Sequence, residues 1–126
     1  MQITSNVRPM SRELYLKLCV LKSIMYAGIV WGLYHQGWAI MRDQDDYIFP
    51  FWLNAAQAQK YAQSHWPQYE PCKISLQDFK DSLLPTLSRL KVIPALCHQA
   101  NLKFKFNTQL MHMFFFQNQH NVGLAS

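Results

Sequence analysis

The sequence predicts an α+β fold, with an antiparallel-dominated sheet of four to six strands and helices packed mainly on one face. Short runs rich in β-branched and aromatic residues recur along the chain, and such residues suit a pleated, half-buried surface. Longer segments between these runs place apolar residues three or four positions apart, which is the spacing of an amphipathic helix. Both patterns within 126 residues indicate strands and helices that share a core.

Three strand-like runs follow one another in the first half of the chain: Ile29–Tyr34, Trp38–Arg42 and Tyr47–Trp52. The two links between them are short and consist of turn-forming residues, so we predict a three-stranded antiparallel meander. Gly37 closes the first link and can adopt a positive φ at little cost. Pro50 has no amide hydrogen, so the third strand should lie at an edge or stop pairing there. The aromatic side chains predicted to be buried between sheet and helices are Trp31, Trp38 and Phe49.

The first predicted helix begins after Ser11, whose hydroxyl can cap it, and ends at Gly28. Lys17 and Lys22 lie inside this apolar segment and argue against a membrane span. The helix has two apolar stripes, and a helix that is apolar on two sides is usually covered on both. We therefore expect it to pack on the sheet and also against another helix or another chain. The first stripe consists of Leu14, Leu18, Leu21 and Met25, and the second of Leu16, Val20, Ile24 and Ala27.

Two helices are predicted after the meander, and each starts with a capping-box pattern. Residues 54–65 form the first, which ends at Trp66-Pro67 because a proline disfavours helical geometry in the residue before it. Residues 75–90 form the second, in which Pro85 predicts a kink or a break into two short helices. The segment between them, residues 70–74, is predicted to be extended.

Two strands and a last helix are predicted for the rest of the chain. Lys91–Cys97 is strand-like, and its Pro94 favours an edge position or a bulge. Leu102–Phe106 alternates apolar residues with lysines, which should face outward from a half-exposed strand. The last helix covers Gln109–Gln117, and residues 120–126 are predicted to be frayed.

Several of these segments together resemble a known family pattern. They are Val30-Trp31-Gly32-Leu33, Gly37-Trp38-Ala39, Phe49-Pro50-Phe51-Trp52, and Ile74-Ser75-Leu76 followed by Phe79, Leu84-Pro85 and Leu87. On these segments the chain resembles, over roughly Lys22 to Phe106, a small bacterial family catalogued as domain of unknown function 2750. It is more distantly similar to the enhanced-serine-sensitivity proteins. The first family has no established activity, substrate or cofactor, so the resemblance assigns no functional residue.

Length and composition indicate a single domain, residues 1–126, with its core in about residues 11–118. Half of the residues are hydrophobic, and the sequence contains no internal repeat and no low-complexity tract. The three cysteines are widely spaced and odd in number, which argues against a disulfide framework. Unpaired cysteines favour a location in the reducing cytoplasm.

No group of residues has the pattern of a catalytic, cofactor or metal site, so an enzyme is not favoured and no cofactor is predicted. Cys97 and His98 are neighbours, but on a strand they point to opposite faces and cannot readily act as nucleophile and base. A zinc site made of His65, Cys72, Cys97 and His98 lacks the usual two-residue ligand spacing. An enzyme with an unrecognised site is the third functional alternative.

The net charge of +5 raises a second alternative, a weak and sequence-independent nucleic-acid binder. The cations are scattered, however, and the nearby aromatic residues alternate inward, where they cannot stack on bases. The best candidate for a phosphate-binding patch consists of Arg89, Lys91, Lys103 and Lys105.

The favoured prediction is a small, non-catalytic cytoplasmic module that binds another protein or itself as a homodimer. It depends on the last helix, where Leu110–Phe116 is apolar around nearly its whole circumference. One domain can cover only part of such a helix, and an uncovered apolar patch marks an interaction site. The segment is too short to span a bilayer. Together with the second stripe of the first helix, the predicted interaction surface consists of Leu110, Met111, Phe114, Phe115, Phe116, Leu16, Val20 and Ile24.

Overall fold

The computed structural model describes the backbone of residues 9–99 and 102–125 and the side chains of residues 9–98 and 103–118. The chain begins with α1 (Arg12–Ala27), β1 (Ile29–Tyr34), β2 (Met41–Asp43), β3 (Asp46–Phe51) and α2 (Ala55–His65). β4 (Glu70–Ser75) leads into α3 (Leu76–Asp78), a π-helical turn (Phe79–Leu83) and α4 (Leu84–Leu90). The last described elements are β5 (Val92–Gln99), β6 (Leu102–Lys105) and α5 (Thr108–Ala125).

The strands form two sheets, which confirms the predicted α+β class with mostly antiparallel pairing. β2, β3, β5 and β6 form one sheet in that order, and β1 pairs with β4 in the other. β3 and β5 run parallel, while the other strand pairs are antiparallel. Trp31 and Trp52 exchange two backbone hydrogen bonds of 2.9 and 2.8 Å, which connect the two sheets.

The predicted meander is wrong in its first connection, because β1 pairs along its whole length with β4 and not with β2. The link after β1 does turn tightly. Tyr34 bridges Trp38, and the His35 amide donates to the Gly37 carbonyl over 3.0 Å. The left-handed residue in this turn is Gln36, with a φ of 61°, rather than Gly37. One bridge competes poorly with the full ladder that β4 offers, which explains the pairing.

Both prolines of the four-stranded sheet lie in interior strands, so the predicted edge positions are wrong. β2 stops pairing with β3 at Ile48, two residues before Pro50, as the alternative prediction requires. The Pro94 carbonyl accepts a hydrogen bond of 2.9 Å from the Phe106 amide, just beyond the end of β6. Each proline therefore lies at or beyond the last paired residues of one neighbouring strand, where a missing N–H disturbs the ladder least.

The helix boundaries follow the predicted signals. The Ser11 hydroxyl accepts a hydrogen bond of 3.0 Å from the Leu14 amide, and Gly28 ends α1 with a left-handed φ of 74°. Asn54 and Ser75 cap the next two helices in the same way. The break predicted at residue 85 is present, because the π-helical turn comes before a proline in the first turn of α4. The π-helical turn leads directly into α4, and the Leu84 amide donates to the Phe79 carbonyl, five residues earlier.

The four-stranded sheet separates a large core from a smaller one. Strand alternation turns Phe49 and Phe51 toward the core that α1, α4 and α5 fill, and it turns Trp52 toward α2. Helices therefore pack mainly on one face, as predicted. Phe49 is buried as expected, but Trp31 and Trp38 are only half-buried because they lie at the margins of the two cores. The fully buried tryptophan is Trp52.

α5 is longer than the predicted helix Gln109–Gln117 and continues to Ala125. The frayed end predicted for residues 120–126 stays a prediction. No helix in the described part of the chain combines the length and the hydropathy that a bilayer crossing requires.

Candidate functional site

α5 has a well-formed start and contains no charged residue. Asn107 Oδ1 accepts hydrogen bonds from the amides of Gln109 and Leu110, each of 3.0 Å, which caps the helix. No Lys, Arg, Asp or Glu follows Lys105 in the sequence. The side of a helix that faces water usually carries such residues, so the composition of α5 is unusual for a surface helix.

One side of α5 is buried in the large core. Met111 and Phe115 lie one turn apart, and both side chains are inaccessible to water. The Phe115 ring packs against the Phe79 ring from the π-helical turn, with centroids 6.2 Å apart. Two residues of the predicted interaction surface, Met111 and Phe115, are therefore already covered by the protein itself and are not available to a partner.

The other sides of α5 remain uncovered. Leu110, Met113 and Phe116 are 65%, 52% and 61% exposed, and Phe114 is half-buried. We call these four residues the α5 surface. Met113 is absent from the predicted set, although it lies next to Leu110 at the i+3 position of the helix. The apolar residues that surround this helix, as predicted, therefore lie partly on a covered side and partly on an exposed side.

The predicted contribution of α1 is smaller than expected. Ile24 is buried in the large core next to Leu21, so it cannot meet a partner. Leu16 is 37% exposed and Val20 is half-buried, and both lie on a helix that packs against α5. The two predicted stripes are wrong in detail, because Leu21 from one stripe and Ile24 from the other face the core together, three residues apart.

The predicted basic patch is partly neutralised. Lys105 Nζ lies 3.0 Å from a carboxylate oxygen of Asp43 and 3.0 Å from one of Asp46, in the turn between β2 and β3. The hydrogen bond from Lys105 lowers the pKa of Asp43, and the two carboxylates raise the pKa of Lys105. This pairing removes a cation from the group that was predicted to contact phosphates: Arg89, Lys91, Lys103 and Lys105.

A β-bulge changes the relation between Cys97 and His98. Cys97 pairs with Lys103 and Gln99 pairs with Leu102. Lys103 and Leu102 are adjacent in β6, so His98 is an extra residue of β5 without a paired residue in β6. Bulges re-aim side chains, and His98 lines a cleft on the side of the sheet where Cys97 is buried. Burial raises the pKa of the Cys97 thiol to about 11, so this thiol stays protonated near neutral pH and is a poor nucleophile.

The cleft lies between α2 and the bulged end of β5, and its volume is about 340 Å³. His98 and the buried Trp52 form part of its wall. The α2 side chains in the wall repeat at i, i+3, i+4, i+7 and i+8, which is one side of a helix. This spacing is a signal that the sequence could have supplied, whereas the placement of His98 depends on the bulge. The α2 residues are Gln57, Lys60, Tyr61, Ser64 and His65.

Tyr61 and His65 hold each other in place within this cleft. Their rings stack with centroids 4.2 Å apart and planes inclined by 10°, and His65 Nδ1 lies 3.3 Å from the Tyr61 carbonyl oxygen. The Tyr61 ring also contacts the rings of Trp52 and Trp66, at centroid distances of 5.3 and 5.8 Å. Burial raises the pKa of Tyr61, so its hydroxyl remains a hydrogen-bond donor at neutral pH.

The described residues contain no cluster of three or more His, Cys, Asp or Glu side chains that could hold a metal ion. The four residues considered for zinc, His65, Cys72, Cys97 and His98, are therefore not assembled into one site.

Comparison with known proteins identifies a family. A search of curated proteins finds no match to the chain. The more distant similarity to the enhanced-serine-sensitivity proteins is not shown and stays a prediction. The matched range contains the whole α2 cleft and ends before α5. The family described as protein of unknown function (DUF2750) matches residues 19–105, which is more than half of the sequence, and the chain belongs to this family.

Proposed function

We propose that the protein is a small, non-catalytic cytoplasmic module that associates with a second copy of itself through the α5 surface. One observation carries this proposal. After α5 has buried Met111 and Phe115, it still exposes more than half of Leu110, Met113 and Phe116. Exposed apolar groups of this size on one helix are typical of interaction sites.

The absence of charge on α5 favours a second copy as the partner. In a twofold dimer the same patch meets itself, so a charge close to the twofold axis would face a like charge. α5 contains no Lys, Arg, Asp or Glu, and this self-contact is therefore free of repulsion. The helix also lacks the cations that would attract a nucleic acid or an anionic membrane surface.

α1 packs against this helix and carries two further apolar residues of the predicted surface, the exposed Leu16 and the half-buried Val20. A surface of this extent supports a weak dimer that depends on protein concentration, rather than an obligate one with a core-like interface. The experiment must therefore cover a wide range of concentrations.

The test compares two leucines with similar exposure. Leu110 on the α5 surface is 65% exposed, and Leu90 at the end of α4 is 61% exposed. The change Leu110→Glu places a carboxylate three residues after the cap Asn107, where it completes a capping box and protects the helix. In the dimer the new carboxylate would be buried without a partner against apolar side chains, which is unfavourable. The change Leu90→Glu is the matched control.

Sedimentation velocity measures the mass of each protein from low to high micromolar concentration. We expect the parent and the Leu90→Glu variant to show the same rise in mass with concentration, and the Leu110→Glu variant to remain a folded monomer. A parent that stays monomeric at the highest concentration contradicts the proposal. A Leu90→Glu variant that dissociates as completely as Leu110→Glu also contradicts it.

The other two candidate functions have less support. Nucleic-acid binding has less support because Lys105, one of the predicted phosphate contacts, is paired with the carboxylates of Asp43 and Asp46. An enzyme would need an activated group, and the buried Cys97 thiol is deactivated by its raised pKa. The free cysteines among the described residues support the cytoplasmic location in this proposal, since thiols persist in a reducing compartment.

A further inference from the structure

The α2 cleft is lined by one cation and several hydrogen-bonding groups. Lys60 supplies an ammonium group, and His65 and His98 supply imidazoles from two different elements. No carboxylate lines the cleft in the part of the chain that the structure describes. All seven Asp and Glu residues of the sequence lie in that part, so the remaining segments cannot contribute one. This composition suits a negatively charged ligand.

The polar groups of the cleft are not consumed by the protein's own interactions. Among the described residues, Lys60 has no ion-pair partner. His65 bonds through Nδ1 to the backbone of its own helix, which leaves Nε2 on the far side of the ring without a described partner. Ligand sites characteristically contain a few such convergent polar groups in a largely formed cavity.

The position of His98 has a specific structural cause. In a regular strand, His98 would point away from the side on which Cys97 lies, and therefore away from α2. The bulge between Cys97 and Gln99 adds one residue to β5 and brings His98 into the wall of the cleft. Bulges often occur where a side chain must be re-aimed at a functional site. Lys60 and His98 thereby approach the same space from α2 and from the sheet.

The cleft also has a rigid aromatic wall. Tyr61 is held between the rings of Trp52, His65 and Trp66, so its orientation does not need to be fixed by a ligand. The volume of about 340 Å³ lies at the lower end of the range for small-molecule sites. A cavity of this size suits a small metabolite with one anionic group and a compact ring, rather than a peptide.

We propose that the α2 cleft binds a small organic anion, whose carboxylate or phosphate group contacts Lys60, His65 and His98 while its ring lies against the half-buried Tyr61. This function is additional to self-association. The cleft belongs to the small core under α2, whereas the α5 surface borders the large core on the other face of the sheet.

NMR titration of the ¹⁵N-labelled full chain tests the proposal with three probes: phenyl phosphate, benzoate and uncharged phenol. We expect saturable shifts of the backbone amides of residues 57–65 and 98 with at least one of the two anions. Phenol should produce much smaller shifts. The stronger of the two anions identifies the group that the cleft prefers.

Two cleft variants and one control complete the experiment. Loss of one charge-assisted hydrogen bond should weaken anion binding roughly tenfold in each of Lys60→Met and His98→Gln. Lys60 is exposed, so its replacement does not endanger the fold. Lys73→Met removes the same charge from the exposed side of β4 and should leave the affinity unchanged.

Three results would overturn the proposal. The first is the absence of saturation with both anions up to about 10 mM, which is weaker than any specific site of this kind requires. The second is binding of phenol with the same affinity as the anions, which would show that the cleft does not recognise the anionic group. The third is an equal loss of affinity in Lys60→Met and Lys73→Met, which would indicate attraction to the net charge alone.

Discussion

α2 and α5 border different cores, and they bury different side chains in them. α2 buries only small residues, Ala58 and Ala62, and places long polar and aromatic residues at its margin. α5 buries Met111 and Phe115 and also exposes large apolar residues. The small contact residues bring α2 close to the sheet and leave its polar side to form a cleft. The apolar composition of α5 exceeds what the large core can cover.

This difference explains why the two helices present different kinds of surface, one polar and one apolar. A helix with a narrow apolar stripe packs that stripe against the core, and its remaining sides can carry polar side chains. One core cannot bury all sides of a helix that is apolar around its circumference, and the uncovered sides need a second partner. The α2 cleft is therefore a candidate ligand site, and the α5 surface is a candidate protein contact.

The largest expected effect concerns the buried side of α5. Phe115→Ala should lower the free energy of unfolding by about 3–5 kcal/mol, because the change removes buried surface and leaves a cavity beside Phe79. Phe116→Ala, on the exposed side of the same helix, should change it by less than about 0.5 kcal/mol at concentrations where the protein is monomeric. Urea denaturation measures both values. Equal losses in the two variants would show that α5 has no distinct buried side.

A smaller effect is expected when the close approach of α2 is disturbed. Ala62→Leu inserts a branched side chain between α2 and the small core and should cost about 1–3 kcal/mol of unfolding free energy. Ala56→Leu makes the same change on the exposed side of α2 and serves as the control. Thermal and urea unfolding measure the difference. If Ala62→Leu is as stable as Ala56→Leu, then α2 stands farther from the sheet than described.

The smallest effect concerns the ion pairs of Lys105 with Asp43 and Asp46. The Asp43 pKa lies below 3.8 in the folded protein, so its contribution to stability is present above pH 3.8 and is lost as the pH falls through the lowered pKa. The Lys105 pKa lies above 10.5, so its contribution is present below pH 10.5 and is lost as the pH rises through the raised pKa.

The variant Lys105→Met should therefore be slightly less stable than the parent by an amount that is constant from about pH 5 to pH 9. The deficit should disappear in acid, where Asp43 is protonated. Urea denaturation from acid to about pH 9 measures the deficit. Lys73→Met is the control, since Lys73 lies exposed on β4. A deficit that persists unchanged in acid would mean that the ion pairs do not cause it.

Most helix and strand boundaries could be predicted from the sequence, but fewer of the pairings between strands could. Capping residues are local signals, so Ser11, Asn54 and Ser75 marked three helix starts correctly. Strand pairing is not local. The choice of β4 over β2 as the neighbour of β1 depends on which backbone edges meet after the helices have packed. Burial is equally non-local, and Trp31 and Trp52 have similar sequence contexts but different exposures.

The sequence by itself determined the α+β class, the family resemblance, the helix caps, the break at Pro85 and the excess of apolar residues in α5. Each of these follows from residue types within a short window, where backbone propensity and periodicity act directly. Only the tertiary structure decided that Met111, Phe115 and Ile24 are covered while Leu110, Met113 and Phe116 are not. It also decided that a bulge brings His98 to α2. These outcomes depend on contacts between distant segments, whose geometry is set by the packing of the whole chain rather than by any local pattern.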